Sequence, residues 1–260
     1  MNIRKIKKTI YEYLEKYNSE YYVTPKINSI ELVNIGAWGH FDTKRMFDKQ
    51  YDLKIDTELF DQNDKFIRQI LYHEFTHMYD STIFNEYDAD SFEDIMEIYS
   101  EVHASEIQMN IILSTQSCPY DLNKTVIHRG ELTLQSFMDQ TLKHVITEFT
   151  SPSGKITPSN LGFDFKELYY FIGYLLSLKK NGINYIYEYK DIAPEFINIF
   201  KKITDYILNN TEYDYNILLK LQNEFSSTIK EHIASHNRKI AKNILQNVDI
   251  DAILQELLNN

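Results

Sequence analysis

A chain of 260 residues with 43% apolar and 25% charged residues describes an ordinary globular protein, long enough to bury its core as one large domain or two intimate ones. Tyrosine (20) and phenylalanine (15) are abundant while glycine (7) and proline (5) are scarce, which favours long helices over a turn-rich all-β fold. The formal net charge of −11 argues against a phosphate-tracking surface, because nucleic-acid binding rests largely on clustered Lys and Arg.

The N-terminal stretch is basic at Arg4, Lys5, Lys7 and Lys8, but tyrosines and glutamates follow where a signal peptide would place its apolar run. Its apolar positions Ile6, Ile10, Tyr13, Leu14 and Tyr17 fall at helical spacing and predict an amphipathic helix over Ile3 to Tyr17. Two alternating segments follow, Ile30 to Ile35 and Tyr51 to Asp56, and read as strands of a small sheet. Between them lies the glycine-bearing stretch Gly36-Ala37-Trp38-Gly39-His40, where Trp38 reads as core packing and His40 as a residue near a cleft. From Asp64 the period lengthens to that of a helix carrying Phe66, Ile67, Ile70, Leu71, Phe75 and Met78, with Asp61 or Asn63 as its cap.

Further helices are expected over Ser91 to Leu113, Leu132 to Phe149, Phe165 to Lys180, Pro194 to Asn209 and Tyr213 to about Leu245. The lone Cys118 reads as a reduced structural thiol that cannot form an intrachain disulfide. The polar, proline-bearing stretch Thr150 to Asn160 is the best internal boundary and divides a core over 1–150 from a helical subdomain over 151–260. The most apolar segment, Phe171 to Leu178, is shorter than a membrane span of roughly twenty residues. The expectation is a soluble, cytoplasmic protein that engages neither membrane nor nucleic acid; oligomeric state is not legible.

The chemistry is carried by His73-Glu74-Phe75-Thr76-His77. Residues four apart share one face of a helix, so both imidazoles can reach one metal ion, while Glu74 lies about 100 degrees round and can reach a water at that ion. Zinc takes neutral nitrogen or anionic ligands and in catalytic sites keeps three protein ligands with a fourth position open. Glu74 is then the general base, passing the water's proton to the leaving amine. The third ligand is sought in Tyr99-Ser100-Glu101-Val102-His103-Ala104-Ser105-Glu106. Glu101 leads because Ala104, one turn on, lets this helix pack close; Glu106 follows, with Glu97 and His103 behind.

With these residues the chain resembles the gluzincins, metallopeptidases that pair an H-E-x-x-H helix with a glutamate on a following helix. His73 to Asp80 followed by Glu101 to Ser105 is similar to segments of the metallopeptidases that process a mitochondrial ATP-synthase subunit, and to the small metallopeptidases of bacterial mobile elements. The resemblance covers about Leu53 to Gln108. His103 stands where the processing enzymes have arginine, and their cysteines around the motif are absent. It implies a zincin-like catalytic core, zinc ligated by His73, His77 and Glu101, Glu74 as general base, and hydrolysis of a peptide or protein substrate, as an endopeptidase rather than an exopeptidase. By analogy, Tyr51 to Leu59 would be an edge strand that pairs with extended substrate.

Asp80 is placed to accept a hydrogen bond from a ligand imidazole. Tyr169, Tyr170, Tyr174, His103 and His144 are the candidates for stabilising an oxyanion. His232 and His236, four apart without an acid between them, read as a solvated helix face, and the tyrosine-rich run Tyr169 to Tyr189 as core. The fold expected is α+β and predominantly helical: a small N-terminal sheet with the motif helix, then a C-terminal helical subdomain. The rival readings are a catalytically idle zincin-like interaction module and a metal-dependent hydrolase of a non-peptide amide.

Overall fold

Among the described residues, apolar positions recurring every three to four residues fold as helices along most of the chain, and sheet is confined to two small patches. The structure is a computed structural model that describes residues 3–34, 38–84, 86–149, 165–190 and 192–247. The proposed boundary Thr150 to Asn160 lies outside the described residues, as do Ile35, Gly36 and Ala37 of the glycine-bearing stretch.

Helix α1 (Ile3–Glu20) buries Ile6, Ile10, Tyr13, Leu14 and Tyr17, the stripe that its spacing predicts. Three strands follow, β1 (Ser29–Val33), β2 (Gly39–Phe41) and β3 (Asp52–Asp56), with the short helix α2 (Thr43–Phe47) between β2 and β3. In β3 Leu53 and Ile55 are buried while Asp52 and Lys54 are half-exposed, the two-residue period of a strand with one inner face. The sheet order is β1-β3-β2, with β1 parallel to β3 and β2 antiparallel to it. The expected edge strand at Tyr51 to Leu59 is therefore corrected. Its strand portion lies at the centre of the sheet, Thr57–Asp61 turns as a 3-10 helix, and β2 is the edge on one side among the described residues. The expectation rests on analogy with folds that place an edge strand just before the motif helix; here β2, only three residues long, pairs on the outer side of β3 and takes the edge.

Asn63 caps the motif helix α3 (Asp64–Asp80) by accepting from the Phe66 amide at 2.9 Å. The segment expected as one helix from Ser91 begins earlier and is interrupted: α4 (Ala89–Ile95) passes through a π turn at Met96–Ser100 into α5 (Glu101–Leu113). A second small sheet, the hairpin of β4 (Thr125–Ile127) and β5 (Glu131–Thr133), takes the residues expected to open the next helix, which starts instead at Leu134. The hairpin is latched to α3 by Asn63, whose amide donates to His128 O at 2.8 Å, and by Gln69, which donates to Ile127 O at 2.7 Å.

The later helices are α6 (Leu134–Glu148), α7 (Phe165–Lys180), α8 (Pro194–Asn209) and α9 (Tyr215–Asn247). Among the described residues two hydrophobic clusters result. The first joins α1, the three-stranded sheet, α3 and α4; the second joins α6 to α9, with Phe149, Phe196, Phe200 and Phe225 fully buried at its centre. Each such phenylalanine contributes about 1.5–3 kcal/mol through burial. Helix α5 stands between them, giving Ile107 and Ile111 to the first and Val102, Met109 and Ile112 to the second. Its approach to α7 depends on Gly173: a β-carbon there would sit 2.7 Å from Ser105 Cβ and 3.0 Å from the Glu106 amide nitrogen. Tyr169, Tyr174, Tyr185 and Tyr189 of the tyrosine-rich run are buried in this second cluster. Trp38 packs edge-on against Phe66 with the Arg129 guanidinium over its ring, and Cys118 is exposed rather than a core thiol. No helix among the described residues is long and apolar enough to cross a membrane.

Candidate metal centre

One turn apart on α3, His73 and His77 set their rings at right angles with centroids 4.7 Å apart and turn their Nε2 atoms to within 3.1 Å of each other. Glu101, the first residue of α5 after the π turn, brings Oε2 to 3.3 Å from both nitrogens. His73, His77 and Glu101 thus form a group that could hold a metal ion. A tetrahedral ion with ligand bonds of about 2.0–2.1 Å sets its ligand atoms about 3.3–3.4 Å apart, so the observed triangle matches one face of such a site. Oε2 is buried and accepts no hydrogen bond from the described residues, an acceptor that a cation would satisfy. The donor set and its geometry fit a metal ion.

The electrostatics point the same way. Burial works against a charge on Glu101, but the charge of His77, the two imidazole nitrogens 3.3 Å from Oε2 and the Lys166 ammonium together hold its carboxyl well below the usual range. Lys166 Nζ pairs with the other carboxylate oxygen, Oε1, at 2.8 Å. Burial disfavours a charged His77, yet the neighbouring Glu101 carboxylate raises its affinity for a proton overall. The cluster attracts positive charge at the point where these three side-chain atoms converge, and a metal ion bound there would take the place of the proton.

Glu74 is buried on α3 and faces the same cavity of about 450 Å³, which is also lined by Gly39, His40, Lys166 and Tyr170. It lies against β2, where the absence of a side chain on Gly39 makes its room: a β-carbon at that position would fall 2.6 Å from Glu74 Cγ. His40 is exposed at the rim.

The remaining candidates separate by position. Glu106 is not in the triad; it pairs with Lys180 at 2.6 Å and lines a different cavity of about 880 Å³ together with His103. Glu97 lines the cavity beside His73 and His77 but accepts a hydrogen bond from Gln222. Asp80 does not bond a ligand imidazole directly, which corrects the sequence expectation: its Oδ2 accepts from Ser100 Oγ at 2.8 Å, and Ser100 Oγ lies 2.7 Å from His77 Nδ1. The direct contact fails because Ser100 stands between the two side chains.

Of the five oxyanion candidates, Tyr170 alone lines the cavity beside the His73, His77 and Glu101 group, its ring edge-on to His73 with centroids 5.4 Å apart. Tyr169 and Tyr174 are buried and bond Gln222 and Gln108, His103 pairs with Asp80 at 2.8 Å, and His144 is exposed. His232 is buried against Glu195 and Phe196 rather than on a solvated face, with the His236 ring stacked 6.1 Å away. Gly39, Ser100 and Lys166 were missed from sequence. A glycine inside a strand signals close approach by another group, and that signal was available for Gly39. Comparison of the chain with protein-family models, with curated proteins and with solved structures finds no match.

Proposed function

We propose that this chain is a zinc-dependent metallopeptidase with a zincin-like core of the gluzincin kind, acting on peptide or protein substrates. The observation that carries the reading is the triangle of His73 Nε2, His77 Nε2 and Glu101 Oε2, with edges of 3.1, 3.3 and 3.3 Å, opening on a cavity that also holds the buried carboxylate of Glu74. Two imidazole nitrogens and one carboxylate oxygen, with a fourth position toward the cavity, are the donor set of catalytic zinc. When bound, the ion supplies Lewis acidity, lowering the pKa of water and polarising a carbonyl.

The chain's own groups supply the rest. Glu74 takes a proton from the attacking water and delivers it to the leaving nitrogen. Tyr170, at the cavity wall beside His73, offers its hydroxyl to the developing oxyanion. Lys166 holds Glu101 Oε1 and thereby fixes the carboxylate's orientation. Extended peptide adds to the edge of β2 rather than to β3, since β2 borders the cavity through Gly39, His40 and Phe41.

The test is elemental analysis of purified protein and of His77→Ala, Glu101→Ala and Glu106→Ala, followed by a peptide-library screen with Glu74→Gln as control. The expected result is one zinc per chain, lost in the first two variants and kept in Glu106→Ala, with cleavage that Glu74→Gln abolishes. A correctly folded protein that takes up no metal when zinc is supplied would overturn the reading and leave a non-catalytic interaction module.

A further inference from the structure

A histidine ligates a metal through one nitrogen only if its proton sits on the other, and the partner of that second nitrogen decides the matter. For His77 the partner is Ser100, the last residue of the π turn, whose Oγ lies 2.7 Å from Nδ1. Ser100 is fully buried and donates its single proton to Asp80 Oδ2 at 2.8 Å. Its oxygen is therefore left to accept. Asp80, also fully buried, cannot swing away, because its other oxygen is held by His103 Nδ1 at 2.8 Å, and His103 Nε2 in turn meets the Tyr22 hydroxyl at 3.3 Å.

We propose that Ser100 is a positioning residue of the metal centre: it accepts the Nδ1 proton of His77 and donates its own to Asp80, leaving the His77 Nε2 lone pair directed at the ion. The proposal rests on the metal-centre reading and is independent of which bond the protein hydrolyses. It assigns consecutive residues to the two nitrogens of one ring, Ser100 to Nδ1 and Glu101 to the Nε2 side. Without Ser100, the ring keeps the Glu101 carboxylate, with Oε2 3.3 Å from Nε2, so the proton moves to Nε2 and blocks the ligating atom.

The experiment is long-range 1H–15N correlation on metal-free protein, at a pH raised until the His77 ring shifts stop changing, with the His77 signals assigned by their loss in His77→Ala. Wild-type protein is expected to carry the His77 proton on Nδ1 and Ser100→Ala to carry it on Nε2. Zinc affinity, measured by competition with a chromophoric chelator, is expected to fall about 10–100-fold in Ser100→Ala, the range for loss of an outer hydrogen-bond partner. Ser100→Thr, which keeps the hydroxyl, restores both readouts. If Ser100→Thr does not fold, the tautomer in wild-type protein and in Ser100→Ala decides alone. An Nε2-protonated His77 in wild-type protein, or the same tautomer in wild type and Ser100→Ala, overturns the proposal. A wild-type protein with the Nδ1 proton but no affinity for zinc upholds the hydrogen-bond chain and overturns the metal reading instead.

Discussion

Gly39 on β2 leaves the space that the Glu74 side chain occupies: a β-carbon there would lie 2.6 Å from Cγ, 2.8 Å from Cδ and 2.9 Å from Oε1 of that glutamate. The relationship ties the sheet edge to the proposed general base, since any larger residue at 39 must push the carboxylate aside. Gly39→Ala is expected to keep its zinc, because no metal ligand is touched, while kcat/KM falls about 100-fold from misplacement of the base. Metal content and turnover measured on the same preparation check this. Unchanged turnover would show that Glu74 has another position from which to act.

Gly173 has the corresponding role between helices. A β-carbon on it would overlap the Val102 carbonyl oxygen and approach Ser105 Cβ at 2.7 Å, so α7 must move away from α5. Backbone cannot yield as a flexible side chain can, and Gly173→Ala is expected to cost about 1–3 kcal/mol in denaturant titration. Because α5 carries Glu101, zinc affinity should weaken in the same variant. Wild-type stability would mean that the helices separate without cost.

Much of this architecture was written in local pattern. Phe165–Lys180 and Pro194–Asn209 fold with the bounds that periodicity predicts, the second opening on a proline in its first turn. Asn63 caps α3 as its chemistry suggests. What escaped has little local signal: β2, β4 and β5 are three residues each, too short for a period to register. The π turn at Met96–Ser100 lies within one unbroken helical pattern. The motif pair His73 and His77 was legible because helical spacing alone places both on one face. Ranking Glu101 over Glu106 needed more: five residues apart they differ by about 140 degrees around the helix, and which face meets α3 is a property of packing. Ser100 was invisible because a serine beside a ligand declares nothing about where its hydroxyl points.

Tyr170 is the tyrosine whose place at the cavity wall suits it to meet an oxyanion. Tyr170→Phe keeps the ring against His73 and removes only the hydroxyl. The expectation is a fall in kcat of about 10²–10³-fold, the scale for one oxyanion donor, with KM and zinc content little changed. Steady-state kinetics on the best library peptide is the check; a change in KM alone would assign Tyr170 to substrate binding.

The pH dependence of stability should expose the hairpin latch. His128 lies between Phe66 and Phe137 and donates from Nδ1 to Gln69 Oε1 at 2.7 Å. Burial, followed by the charge of Arg129, pushes its imidazole down to about 4 from the ordinary 6.5. The folded state thus resists a proton that the unfolded chain takes up below about 6.5. Stability from this group is present at neutral pH, declines as pH falls from about 6.5, and levels off below about 4. The whole span amounts to no more than about 3 kcal/mol, and less because the ring is partly exposed. His128→Asn keeps an N–H donor for Gln69 and removes the titration, so its unfolding free energy should lose less than that of wild type between pH 7 and pH 4. Parallel curves for the two proteins in urea titrations across that range would mean that the ring is protonated without opening the hairpin from α3.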